Sequence, residues 1–572
     1  MGDGDALAFG HGRRGPLRPA PRMVRLAIGI LAVVLIGTPE VRAADALIRS
    51  APRSGAAGSA AADASESSVL LAIGDSLSHG TMDGAVNGLN TLHGYVQLVA
   101  AALERTGPIQ FSQPLLDFDG NRISPFQIPT NLAVDGADLF SIEGFEYYRR
   151  VGANASYLAA GYLGDALLPR FMQDLTDRVL YPVNLLAGQA VSQVDAALEL
   201  MDRIAASGST GEAILLFWAG NNDTSLAALG SGGANPSYLP FPLEQISPEL
   251  KPALRVLLET GARRGELSFS PYTLDAIARN MTTVDDFAAQ LDRVIRRLLT
   301  ESVLPAERSR LFALTLPYYS AVGYLLDSDD LEFYLGKLAP GYRVPASFQR
   351  VSEPGQPITD PFKGDRVSLF TFGFMYALLE TGYSVAYVNE ILERDGVQQD
   401  GLVLSESEAR LIMDRIDAFN RLIGSLPEQF GDRVRVIDTG GYLNAALAGA
   451  EPVLVGGRAL SRKWGRGNAF TLDGVHPGYT GHALIANKVL ESLNAELGVR
   501  TSPYDLAAVM VTDVYVDRDG DGWVTGPEYT PTGLTELLFL FRDPDDADPA
   551  VQVDLPDDVW DRISDILLQE LH

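Results

Sequence analysis

The chain has 572 residues, with 73 acidic side chains against 45 basic ones and a formal net charge of −28. That length suits roughly two to four units of about 150 residues, and 46% hydrophobic residues suit a sizeable globular core. The acidity speaks against a general nucleic-acid binder, and equally against docking on an anionic membrane through basic patches. The absence of cysteine removes disulfides, thiolate metal sites and cysteine nucleophiles in one step. Any chemistry that needs an imidazole must draw on His11, His79, His93, His476, His482 or His572.

At the N-terminus, Arg13, Arg14, Arg18, Arg22 and Arg25 precede an apolar run from Leu26 to Gly37. That run is far shorter than the roughly 20 residues needed to cross a bilayer. Val41-Arg42-Ala43 follows as a small-x-small pattern. This is the layout of a secretory signal peptide over residues 1–43, and Met23 offers a start that makes it more compact. The mature protein is expected to be exported to periplasm or medium, without a transmembrane anchor. Residues 44–66 are rich in Ala, Ser and Gly and are expected to be a disordered lead-in.

Val69 to Ile73 is a continuous apolar run ending at Gly74, as expected of a strand buried on both faces. Ala213 to Trp218, Leu311 to Leu316 and Val434 to Ile437 repeat the pattern. Helical spacing fills the intervals at Val191 to Ile204, at Val284 to Leu299 and after the capping-box string Ser405-Glu406-Ser407-Glu408. Ala483 to Leu497 reads as a closing helix. Strands alternating with helices predict an α/β fold with a mainly parallel sheet, a three-layer α/β/α sandwich over 67–499. Stretches 81–175 and 318–400 break the rhythm and read as insertions at the loop ends of the sheet. The second holds the aromatic run Leu369 to Tyr376, which suits core packing, or an acyl-chain pocket or lid. Residues 500–572 form a separate acidic segment.

Gly74-Asp75-Ser76-Leu77 follows the first strand directly. A strand, a tight Gly turn and a serine opening a helix expose the hydroxyl at the carboxyl edge of the sheet, where open α/β folds bind ligands. Free backbone N–H groups at that turn can stabilise an oxyanion. Gly220-Asn221-Asn222-Asp223 follows the Ala213 to Trp218 strand, so an Asn amide can donate at the same edge. Asn131-Leu132-Ala133-Val134-Asp135-Gly136-Ala137 supplies a Gly whose N–H can approach a ligand closely. Asp473-Gly474-Val475-His476-Pro477 puts a carboxylate three residues before an imidazole, where it can orient the ring that takes the serine proton.

Those four blocks, in this order, resemble the GDSL, or SGNH, hydrolase family, and the resemblance spans roughly 67–497. It implies an ester hydrolase with Ser76 as nucleophile, His476 as general base and Asp473 orienting it. The Ser76 N–H, the Gly136 N–H and the Asn222 amide would form the oxyanion hole. Gly188, in Asn184-Leu185-Leu186-Ala187-Gly188, competes for the Gly136 role, though its surrounding string matches less well. An acyltransferase would use the same residues, and an inactive binding or adhesion module could keep the scaffold. The substrate class is a small-molecule, lipid or carbohydrate ester. Asp75 and His93 are expected to be structural, His79 to line the pocket at most, and His482 to be solvated.

Near the C-terminus, residues 517–528 fit the twelve-residue calcium loop D-x-D-x-D-G-x5-E without a gap. Asp517, Asp519, Asp521, Thr525 and Glu528 would supply side-chain oxygens and Trp523 its carbonyl. This resembles an EF-hand loop. The β-branched run Val511 to Val516 before it and Pro527 within it suit a structural Ca²⁺ rather than a switch.

Overall fold

The structure, a computed structural model, describes residues 67–524 except 118–119, 145–174, 230–273, 280, 349–362, 381–382, 399–402, 449–452, 519, 521 and 523. The signal-peptide and lead-in expectations therefore lie outside the described residues. In chain order the strands among the described residues are β1 (Ser68–Gly74), β2 (Ile109–Gln110), β3 (Ala213–Trp218), β4 (Ser309–Leu314), β5 (Leu325–Leu326), β6 (Arg366–Ser368), β7 (Val403–Leu404), β8 (Val434–Ile437), β9 (Leu454–Val455) and β10 (Arg458–Ala459), the last two a small antiparallel pair. Five of them form one parallel sheet in the order β2-β1-β3-β4-β8. The fold is α/β, and it is compatible with the three-layer arrangement.

Burial on both faces explains why these segments are strands. Leu70 to Ile73 of β1 and Ala213 to Trp218 of β3 are interior along their whole length, so neither could alternate with polar residues. The register pairs Leu71 with Leu215 and Leu215 with Leu311, stacking aliphatic on aliphatic across the middle of the sheet. Strand β8, at the edge, is buried only at its ends. Strand β2 has two residues, too short for a periodic signal.

Helices pack against the sheet in two groups. Tyr95–Glu104 contacts Tyr479–Leu497, while Gln193–Ala206 and Glu406–Gly424 both contact Val284–Thr300. Ser405 caps Glu406–Gly424 through the expected capping box. The helix expected from Val191 starts at Gln193, because Ser192 is its N-cap and forms a capping box with Asp195. The closing helix starts a turn earlier than expected, at Tyr479. Its first turn looks polar, yet Thr480 donates to Asp513 and His482 Nδ1 accepts the Tyr95 N–H. His482 is thus fully buried rather than solvated, and burial pushes its pKa down to about 3.

The two expected insertions differ in kind. Much of 81–175 serves the sheet itself, through helix Tyr95–Glu104 and strand β2. The stretch 318–400 carries β5 and β6, which join β7 in a small antiparallel sheet. Leu369–Glu380 is a helix, and Phe372 and Met375 are fully buried. The Phe372 ring lies 5.5 Å from Tyr334 and 5.9 Å from Trp464. Core packing accounts for these residues. Beside them, Asp327 pairs with Arg462 and Lys463, and Asp330 with Arg466, all at the foot of helix Ser328–Leu338. Among the described residues no helix is long and apolar enough to cross a membrane.

Truncation of an interior phenyl ring removes both transfer energy and packing. Phe372→Ala should cost about 3–5 kcal/mol in a denaturant melt; a cost under about 1 kcal/mol would return the ring to a surface or lid role.

Candidate active site

The chain passes from β1 to β2 on one side, then returns to β3 on the other side of β1. Such a reversal opens a crevice beyond the carboxyl ends of the two central strands. Gly74 closes β1 tightly, since a Cβ there would lie 2.3 Å from the Trp218 carbonyl. The buried Gln193 side chain grips Gly74 from both sides: its Oε1 accepts the Gly74 N–H at 3.0 Å, and its Nε2 donates to the carbonyl at 2.9 Å.

Asp75 then caps the short helix Ser76–His79. One of its oxygens accepts the Leu77 N–H at 3.0 Å, and the other accepts the Asn221 amide at 2.9 Å. That second bond ties the β1 loop to the β3 loop. Burial pushes the Asp75 carboxyl up to about 7, against the hydrogen bonds from Asn221 and Leu77. Ser76, the next residue, is 8% exposed.

Gly136 reaches the same edge by a separate route. Where β2 stops, Asn131 bridges Ala72, Leu132 donates to the Ala72 carbonyl, and Val134 donates to the Gly74 carbonyl at 3.2 Å. The chain then turns, with Gly136 at φ +76° and Ala137 N–H on the Val134 carbonyl. Asn222 donates to the Ala137 carbonyl at 3.0 Å, which orients its amide toward this turn. Gly188 is placed differently. It is an exposed C-cap whose N–H is spent on its own helix. The geometry brings together Ser76, Gly136 and Asn222 and leaves Gly188 out.

The loop before the closing helix carries Asp473 and His476. Oδ2 of Asp473 accepts from His476 Nδ1 at 2.7 Å and from the Gly84 N–H at 2.7 Å. Oδ1 accepts from the Thr471 hydroxyl, the Val475 N–H and the His476 N–H at 2.8–2.9 Å. Burial alone would raise this carboxyl, but the His476 charge and these bonds hold it below the ordinary range. Burial would likewise lower His476. The Asp473 carboxylate, followed by Asp135 and Asp75, outweighs it and lifts the imidazole to about 9.

Sequence reasoning missed the supports. Asp83 and Gly84 form a tight turn with φ +61° and +66°; Asp83 N–H donates to Thr471 Oγ1 and Gly84 N–H to Asp473. The Asp-Gly dipeptide at 83–84 was the available signal. On the other side, Trp464 Nε1 donates to the Leu472 carbonyl at 2.8 Å, and Tyr334 donates to the Trp464 carbonyl at 2.6 Å.

The other described histidines have structural surroundings. His79 is buried, its Nδ1 lies 2.7 Å from the Ala133 carbonyl, and burial pushes it down to about 4. His93 stacks on Tyr479 at 3.6 Å. Of the expected calcium ligands, Asp517 is buried and accepts N–H bonds from Gly520 at 2.7 Å and Gly522 at 2.9 Å. Asp519, Asp521, Trp523, Thr525 and Glu528 lie outside the described residues. No family model, curated protein or solved structure matches the chain.

A raised imidazole has two consequences of opposite sign. Its stabilising contribution is full below the ordinary value of 6.5 and is lost as pH rises through about 9. A base must be neutral, so the reactivity of Ser76 should climb over the same interval. Melting temperature and fluorophosphonate inactivation rate, followed from about pH 6 to pH 10, should therefore move in opposite directions; a rate limb centred near 6.5 would remove the raised imidazole from the account. Asp473→Asn should slow inactivation by about 10³–10⁴-fold.

Proposed function

We propose that the chain is a serine ester hydrolase of the GDSL, or SGNH, type. The observation that carries the reading is the Asp473–His476 pair, joined through Nδ1 at 2.7 Å and tied by the Gly84 N–H to the turn that follows the Ser76–His79 helix. Ser76 Oγ attacks the ester carbonyl while His476 takes its proton. The oxyanion that forms is held by the Ser76 and Gly136 N–H groups and the Asn222 amide. Collapse expels the alcohol, which leaves with the proton from His476. Water, activated by the same imidazole, then releases the acid and regenerates Ser76. Asp473 stays ionised throughout and stabilises the imidazolium.

The N-terminal pattern supports export to periplasm or medium. The C-terminal loop supports a bound Ca²⁺. Asp517 fits the first ligand position, because its carboxylate already gathers the N–H groups of Gly520 and Gly522 as a tight loop around a hard cation requires. Asp519, Asp521, Trp523, Thr525 and Glu528 would complete the oxygen set, and the ion would supply charge neutralisation to an acidic segment.

Turnover on a panel of p-nitrophenyl and glycerol esters tests the reaction. Activity should fall at least about 10³-fold in Ser76→Ala and in His476→Ala, with both variants folded. Transfer to an added alcohol in preference to water would make the chain an acyltransferase. For the ion, a chelator should lower the melting temperature, since a ligand at about 100 times its Kd contributes about 2.7 kcal/mol. An unchanged melt, with and without added Ca²⁺, would count against the site.

A further inference from the structure

The end of β1 is completed by a side chain where a backbone partner is expected. Ala72 pairs in the parallel manner with the segment beyond β2: its N–H donates to the Thr130 carbonyl at 3.0 Å, and its carbonyl accepts the Leu132 N–H at 2.8 Å. Gly74 comes next on the same side of the strand. Its carbonyl continues the pattern by accepting the Val134 N–H at 3.2 Å. The matching rung would send the Gly74 N–H to the Leu132 carbonyl. That N–H goes instead to Oε1 of Gln193 at 3.0 Å, and Gln193 Nε2 adds a second donor to the Gly74 carbonyl at 2.9 Å. The ladder therefore stops at a side-chain amide, and the chain turns off there into Gly136.

Gln193 is buried and firmly held. It opens helix Gln193–Ala206, whose start is fixed by the capping box of Ser192 and Asp195. Arg297 donates to Asp195 at 2.9 Å and to Glu143 at 3.0 Å. Glu143 ends the short helical turn Ser141–Glu143 that follows the Gly136 turn. One guanidinium thus fastens the helix that carries the amide to the segment just past the turn. The Ser76 and Gly136 donors of the proposed oxyanion hole are backbone N–H groups. A backbone donor has no rotamer to adjust, so the chain on either side sets its aim. The chain leading to Ser76 and the chain leading to Gly136 are tied together at the Gly74 carbonyl.

We infer that Gln193 is a positioning residue for the oxyanion hole: its amide fixes where the Ser76 N–H stands relative to the Gly136 N–H, without touching the substrate. This rests on the reading of Ser76 as nucleophile. Without the amide the Gly74 N–H would be buried and unpaired, which is unfavourable. The rung that would satisfy it is the Leu132 carbonyl. Closing that rung draws the Gly136 turn against β1 and takes its N–H off the oxyanion.

The test compares the full chain with Gln193→Met, which keeps the length of the side chain and loses both bonds. Labelling with a fluorophosphonate, carried to completion, counts the competent sites, and rates are taken per labelled Ser76. With p-nitrophenyl acetate, kcat per site should fall about 10²-fold, as for a misplaced oxyanion donor, while KM stays within about threefold. Phenylboronic acid reads the same geometry without turnover. Ser76 Oγ bonds to boron, its proton passes to His476, and the boronate takes up the negative charge beside the oxyanion donors. Its Kd should rise by a factor similar to the fall in kcat. The pH limb of His476 should not move, because the contacts of Asp473 are untouched. Gln193→Asn, one methylene too short to span both groups, should change in the same direction, and it decides the question if Gln193→Met does not fold. An unchanged kcat per labelled site, or a loss confined to KM or to the labelled fraction, makes Gln193 a packing residue and overturns the inference while leaving Ser76 as nucleophile. Failure of the fluorophosphonate to label Ser76 in the unaltered chain overturns the nucleophile itself.

Discussion

A carboxylate taken out of water must be surrounded by donors, and the site is organised around Asp473 for that reason. Its five hydrogen bonds come from its own loop, from the Asp83–Gly84 turn and from the His476 ring. Only one of those donors is the imidazole. The other four fix the carboxylate so that the imidazole has a single orientation, with Nδ1 as the partnered nitrogen. The Asp83–Gly84 turn is 389 residues distant from Asp473 along the chain. The proposed base can form only once the two ends of the fold have closed on each other.

The same logic extends outward. The Trp464 indole holds the Leu472 carbonyl, the Tyr334 hydroxyl lies between the carbonyls of Trp464 and Gly522, and Asn468 accepts the Asp517 N–H. The buried pairs of Asp327 and Asp330 with Arg462, Lys463 and Arg466 pin this loop to helix Ser328–Leu338. Breaking one partner of such a pair leaves a bare interior charge and is costly, typically about 3–5 kcal/mol. The start of the acidic C-terminal segment is therefore packed against the loop that precedes Asp473. Asp513 adds to this by capping the turn after His476 through Thr480.

Legibility in the sequence followed the range of the interactions. Strands β1, β3 and β4 were readable because burial on both faces writes a continuous apolar run, and β8, buried only at its ends, was readable from Val434, Val436 and Ile437 around Arg435. The Ser405 cap was readable because a capping box is local. Strand β2 was not, because two residues carry no period. The first turn of the closing helix was missed because Thr480 and His482 look polar in sequence and find their partners in Asp513 and Tyr95, far along the chain. At the site, Asp473 and His476 were legible as a short-range pair. Gln193, Thr471 and the Asp83–Gly84 turn were not, since each acts through a partner in another loop. The difference between Gly136 and Gly188 needed three dimensions: Gly136 lies in a turn tied to the end of β1, whereas Gly188 is an exposed helix C-cap whose N–H is spent on its own helix.

The central claim is that His476 activates Ser76. Treating the folded chain with a fluorophosphonate and mapping the modified peptide by mass tests it most directly. The account predicts a single label on Ser76, lost in His476→Ala. A label on another serine, or labelling of Ser76 at an equal rate in His476→Ala, would contradict it.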